Sequence, residues 1–149
     1  MVTPLRERTP RFRASALELV AQLRRTPSVE VGLATGNIRK AAAMKLASAG
    51  FEGSFDLGAF GDETDDRAAL LRLFFSRAEA RCPKGSQTAR FVLGDTPSDI
   101  AASQEVKASA IAIACGPYDE VSLRQAGADL VFATPREALA AEPWRRGSS

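Results

Sequence analysis

Phe91-Val92-Leu93-Gly94-Asp95-Thr96-Pro97-Ser98-Asp99-Ile100 is the stretch on which the fold turns. An apolar run ends in glycine, and two carboxylates follow around a Thr-Pro turn. This reads as a strand handing acidic side chains to its C-terminal end, where open α/β sheets place their ligands. Thr96-Pro97-Ser98-Asp99 is also a capping box, with proline at the first helical position. The box accounts for Asp99 without any ligand. It does not account for Asp95, held at the strand end just before the cap. Both carboxylates are hard oxygen donors of the kind Mg²⁺ takes.

Outward from this segment, strand and helix patterns alternate. Ala16, Leu19, Val20 and Leu23 recur at helical spacing. Val29 to Thr35 is a valine-containing apolar run, read as a buried strand. Gly36-Asn37 turns the chain, and Ile38 to Ala49 reads as a helix closed by Gly50. Phe55 to Phe60 is a weak strand. Arg67 to Ala80 is a long helix with Leu70, Leu73, Phe74 and Ala78 inward. Beyond Phe91 to Gly94 come a helix at Pro97 to Val106 and a strand at Ser109 to Cys115. A helix at Glu120 to Ala126, a strand at Leu130 to Phe132 and a helix at Arg136 to Ala141 follow. Such alternation implies βαβ units with right-handed crossovers. The expected fold class is α/β, a Rossmann-like three-layer parallel sheet.

Composition bounds the function. The 149 residues suffice for one domain, and 45% apolar with 26% charged residues is ordinary for a globular protein. A net charge of +2 gives no reason to expect nucleic acid or an anionic membrane as partner. No run is long enough to span a membrane and no signal-peptide pattern opens the chain, so a cytoplasmic location is expected. Cys82 and Cys115 are read as reduced thiols. There is no histidine, which excludes Ser-His-Asp and Cys-His catalysis and His-ligated zinc within the chain. The core is expected over 14–142. Residues 1–13, with Pro4, Pro10, Arg6, Arg8, Arg11 and Arg13, read as a loose basic leader, and 143–149 as a frayed tail.

Several polar residues break the local pattern. In the helix after Gly36-Asn37, Ile38, Ala41, Ala42, Lys45, Leu46 and Ala49 form one stripe, placing Lys45 on the apolar face. Either an anion at the sheet edge holds it there, or its stem packs while the ammonium reaches water. Thr35 ends a strand beside a helix N-terminus, where an anion could bind or where the hydroxyl simply caps. Asp62, Glu63, Asp65 and Asp66 read as a solvated loop leading into a helix, with a specificity loop as the alternative.

Taken together, Leu33-Ala34-Thr35-Gly36-Asn37, Lys45-Leu46 and Gly94-Asp95-Thr96-Pro97-Ser98-Asp99-Ile100 resemble the haloacid dehalogenase (HAD) superfamily, and within it the phosphoglycolate-phosphatase-like hydrolases. Gly58-Ala59-Phe60-Gly61-Asp62 and Ala126-Gly127-Ala128-Asp129 resemble segments of the same subgroup. The resemblance runs from about Leu17 to Leu139. It implies Mg²⁺-dependent hydrolysis of a small phosphate monoester. Thr35 would bind the transferring phosphoryl group together with Gly36 and Asn37. Lys45 would neutralise that group. Asp95 and Asp99 would hold or orient Mg²⁺. Phosphoryl transfer relies on positioning and charge cancellation, which these groups suit.

One departure is large. The family's first motif, Asp-x-Asp-Gly-Thr/Ser, carries the nucleophile, and this chain has no two aspartates two residues apart. The family's cap is missing too. Its first strand lies centrally, between those represented here by Val29–Thr35 and Phe91–Gly94, so the HAD-like core is expected to be incomplete. The two flanking strands would then pair directly, or receive a strand from a second copy or a complementing chain, or mark a truncated fragment. Three functions follow: a phosphatase core inactive alone, a non-catalytic phosphate- or Mg²⁺-binding module or half of a split enzyme, and a structural fragment.

Overall fold

The computed structural model describes residues 10–147. Its elements follow the expected alternation. They are α1 (Pro10–Arg25), β1 (Leu33–Thr35), α2 (Arg39–Ala49), β2 (Gly58–Phe60), α3 (Arg67–Ala80) and β3 (Phe91–Gly94). After these come α4 (Pro97–Glu105), β4 (Ser109–Ile113), α5 (Glu120–Gln125), β5 (Leu130–Phe132), α6 (Pro135–Ala141) and a 3₁₀ turn at Pro143–Gly147.

Helix ends sit where the caps put them. Asp66 accepts from the Ala68 amide to start α3, and Thr134 accepts from that of Glu137 to start α6. Gly50, in the left-handed region, ends α2. β1 is shorter than the apolar run that announces it. Val29 to Gly32 lie outside the ladder, although Val31 and Gly32 are buried.

The strands are parallel but form two sheets. β1 pairs with β2, and β3–β4–β5 form the second. Direct pairing of β1 with β3 is therefore excluded. The core is an α/β one whose sheet is split where the central strand was expected. Side chains nevertheless bridge the split on both faces. Ala34 and Val92 share one cluster with Leu71, Phe74 and Ala102, beneath α3 and α4. Val31 and Leu93 share another with Leu19, Val20 and Ile113, beneath α1 and α6. A third, smaller cluster seats Leu123 of α5 on Ala110 and Ala112. Helices thus cover both faces, as three layers require.

Two features stand out at the ends of the described part. The tail does not fray at Trp144, whose indole is buried with α1 and α6 residues in the cluster around Val31. The leader boundary at Arg13 falls inside α1, which already runs from Pro10; residues 1–9 lie outside the described part. Neither cysteine forms a disulfide. Among the described residues no helix is long and apolar enough to cross a membrane.

Candidate functional site

Helix α3 fixes the relative direction of the two sheets. Arg77, in its last turn, donates to the Gly58 carbonyl at the start of β2, 2.7 Å away. Glu79 accepts from Arg90, just before β3, at 2.7 Å. Arg67, its first residue, pairs with Asp99, just beyond β3. β2 and β3 both run antiparallel to α3, and so in the same direction. Thr35 and Asp95 therefore lie at one common edge, the C-terminal edge of both sheets.

At that edge the β1–α2 loop ties three expected residues together. The Thr35 hydroxyl oxygen accepts from the Asn37 amide at 3.2 Å and from Asn37 Nδ2 at 3.1 Å. Asn37 Oδ1 accepts from Lys45 Nζ at 3.1 Å. Two accepted bonds fill the lone pairs of the Thr35 oxygen and leave its proton for another acceptor. Lys45 keeps two further N–H donors. The Thr35 hydroxyl and the Lys45 ammonium thus offer donors at this edge, the right polarity for a phosphate. Gly36 is exposed beside it.

Lys45 does not occupy the apolar face predicted from the stripe. It is exposed, as is Ile38 at 54%. Ile38 is the residue that precedes the helix, and Ala42 is the buried one in α2. The helix packs through Ala42, Leu46 and Ala49, which leaves Lys45 in solvent, where it reaches back to Asn37.

The β3–α4 corner is more constrained. Asp95 and Asp99 are both buried. The capping box is present in full: Asp99 Oδ2 accepts from the Asp95 and Thr96 amides at 3.1 and 3.2 Å and from the Thr96 hydroxyl at 2.9 Å. Asp99 Oδ1 accepts from Arg67 Nη1. Gly94 makes room for this, since a Cβ there would lie 2.5 Å from that of Asp99. Asp99 is thus committed to the helix cap and to Arg67. A divalent cation would have to displace those donors and sit against a guanidinium. The described residues contain no group of three acidic, His or Cys side chains able to hold a metal. Asp95 alone, one carboxylate at a strand end, falls short of the Mg²⁺ site implied by the resemblance, and Asp99 does not fit it.

Arg67 was not singled out in the sequence. It opens α3 like any surface arginine, and only the partner 32 positions away reveals its place. Its side chain is 47% exposed. Arg67→Met should lower stability by about 1–2 kcal/mol, less than for a fully enclosed pair because Arg67 is half in water. Urea denaturation near neutral pH measures this.

The acidic loop proves to be structural. Asp62 accepts from the Arg39 amide at 3.3 Å and so caps α2, across the edge from its own helix. The Arg39 guanidinium lies 4.3 Å from the centre of the Phe60 ring. Glu63 accepts from the Phe60 amide at 3.0 Å and pairs with Arg77. The Arg77 bonds, then the Phe60 amide, hold the Glu63 carboxyl at about 2, below its ordinary 4.5. A depressed carboxylate stabilises above its unfolded value and loses that contribution as pH falls. Glu63→Gln should therefore melt below the parent above pH 4.5, and the gap should close between pH 4.5 and 2. Paired melting curves across that window check it.

No protein-family model and no curated protein matches the chain. Solved structures do. A hydrolase from Pseudomonas syringae is similar at TM-score 0.70 and 21% identity, over 89% of this chain and 65% of that one. A haloacid dehalogenase-like family hydrolase from Streptococcus pneumoniae is similar at 0.69 and 19%, over 85% and 57%. A candidate beta-phosphoglucomutase from Thermotoga maritima is similar at 0.66 and 23%, over 90% and 59%. The fold is thus that of the HAD-like phosphatases and mutases. The chain spans less than two thirds of each of these three proteins.

Proposed function

We propose that this HAD-type fold serves as a phosphate-recognition core, inactive on phosphate monoesters by itself. The observation that carries the reading is the linked set Thr35, Asn37 and Lys45 at the sheet edge. It offers a hydroxyl proton, a loop with exposed Gly36 and an ammonium to one small anion. Arg67 adds a second cation across the edge. The ligand class is inorganic phosphate or a small phosphorylated molecule.

Turnover needs a group that attacks phosphorus. Asp95 is buried at 1% exposure, and Asp99 is held by four donors. Neither suits that role, and Thr35 has no base bonded to it among the described residues. Mg²⁺ is not assigned to this chain's own side chains, for the reason that Asp99 is already committed. A second reading is half of a split phosphatase, in which another segment brings the missing carboxylates. What favours it is the split sheet, whose two halves present their donors and acids at one edge.

Two measurements separate these readings. Phosphate at tenfold its Kd should stabilise by about 1.4 kcal/mol. That corresponds to a melting shift of roughly 3–5 °C for a domain of this size. Lys45→Met should abolish most of it. An unchanged melting curve with millimolar phosphate would remove the recognition reading. Release of nitrophenol from an aryl phosphate with Mg²⁺, above background and from folded protein, would overturn the claim of inactivity.

A further inference from the structure

The 3₁₀ turn at Pro143–Gly147 reaches the core through Trp144. That residue is 7% exposed and shares a cluster with Leu19 and Val20 of α1 and Ala138 of α6. An indole offers a large apolar area and a single N–H donor. Here the N–H is buried and, among the described residues, has no acceptor. A buried donor without a partner carries the full cost of leaving water. Docking of Trp144 therefore gains apolar burial and loses a hydrogen bond in the same step.

The joint behind the turn is strained. Glu142 closes α6 in the left-handed region, at φ 44° and ψ 54°. Glycine suits that region; a glutamate stays there only when its surroundings hold it. Pro143 follows, and the residue before a proline prefers extended backbone. The bonds on either side are local. The Glu142 amide donates to the Ala138 carbonyl at 3.1 Å, and the Arg145 amide donates to the Glu142 carbonyl at 3.1 Å. The first belongs to the rigid peptide unit before the Glu142 dihedrals, the second to the unit after them. Rotation at Glu142 alone leaves both intact, so the turn can swing as a unit.

We propose that Pro143–Gly147 is a latch, which swings about Glu142 and withdraws Trp144 from the α1–α6 face while the α/β core stays folded. Release frees the Glu142 backbone, hydrates the indole N–H and bares an apolar strip on α1 and α6. Only the burial of the ring opposes it. The latched and open states therefore lie closer in free energy than the folded and unfolded core. Thr35, Asn37 and Lys45 take no part, so the latch stands or falls apart from phosphate recognition.

Trp144 is the only tryptophan, so it reports its own release. In urea its emission should move to the red at a lower midpoint than the loss of far-ultraviolet circular dichroism. Its indole N–H should exchange with solvent about 100-fold faster than the slowest amides of β4. Glu142→Gly removes the left-handed penalty and should raise the emission midpoint toward that of the dichroism. Glu142→Ala keeps the penalty and should not. Both variants lose the Glu142–Arg145 pair, 3.2 Å long and partly in water, so the comparison cancels it. Coincident emission and dichroism transitions in the parent would overturn the proposal. So would an indole N–H as protected as the β4 amides, or equal emission midpoints in the glycine and alanine variants.

Discussion

Gly61→Ala should abolish phosphate-dependent stabilisation while the protein still folds. A Cβ at Gly61 would lie 1.9 Å from the Gly36 carbonyl oxygen, 2.6 Å from its carbon and 3.2 Å from the Asn37 carbon. All three are backbone atoms, so no change of rotamer relieves the contact. The Gly61 amide also donates to the Asn37 carbonyl at 2.8 Å, pinning the β1–α2 loop to the start of the acidic loop. The loop must retreat by roughly 1.5 Å or more to reach ordinary contact distance. That retreat disturbs the hydrogen bonds by which Asn37 joins Thr35 to Lys45, and with them the arrangement that would hold the anion. The stability cost should be about 1–3 kcal/mol, as for other overpacked sites. Calorimetric titration with phosphate, beside urea denaturation, reads the two effects separately. Gly36→Ala is the comparison for stability alone, since a Cβ there meets nothing within 4 Å and should leave the urea midpoint unchanged. A Gly61→Ala protein that binds phosphate normally would show that the loop does not position the ligand.

Phe74→Ala should be the most destabilising single change among the described residues of α3. The ring is 2% exposed and packs edge-on against Phe75, with centroids 5.4 Å apart. It belongs to the cluster that joins Ala34 of one sheet to Val92 of the other. Truncating a buried phenylalanine costs about 3–5 kcal/mol, a large share of the roughly 5–15 kcal/mol that holds a domain folded. Phe74→Leu should cost about 1–1.5 kcal/mol, because most of the volume is kept. Urea denaturation with an unchanged slope would confirm loss of stability rather than loss of cooperativity. If Phe74→Ala cost no more than Phe74→Leu, the cluster would not be the link between the sheets.

The sequence made the β3–α4 corner legible because three local signals agreed there: an apolar run, a capping box and a proline at the helix start. The two groups at the edge were less evenly readable. Thr35, Asn37 and Lys45 come together as named, but Lys45 arrives from solvent. A stripe of alanines has the period of a buried face without the bulk to enforce it, and Ile38 stands outside the helix it seemed to begin. Arg67 was invisible because an arginine at a helix start is ordinary until its partner is known. Asp62 misled in the same way. Its charge suits the helix that follows it, yet it caps a different one. Trp144 was hidden by position, since the Arg-Arg-Gly-Ser-Ser that follows made a buried anchor look like a tail.

The split between the sheets has a mechanical consequence. Within each sheet, strands are clamped by hydrogen bonds that fix distance and register. Across the split, apolar side chains and a few ion pairs, Arg67–Asp99 and Glu79–Arg90 among them, carry the load, and such contacts slide more readily than a ladder stretches. The protein therefore has one soft direction, a seam along which its halves can breathe while each stays folded. Opening there would part Ala34 from Val92 and Val31 from Leu93 at a free energy below that of global unfolding.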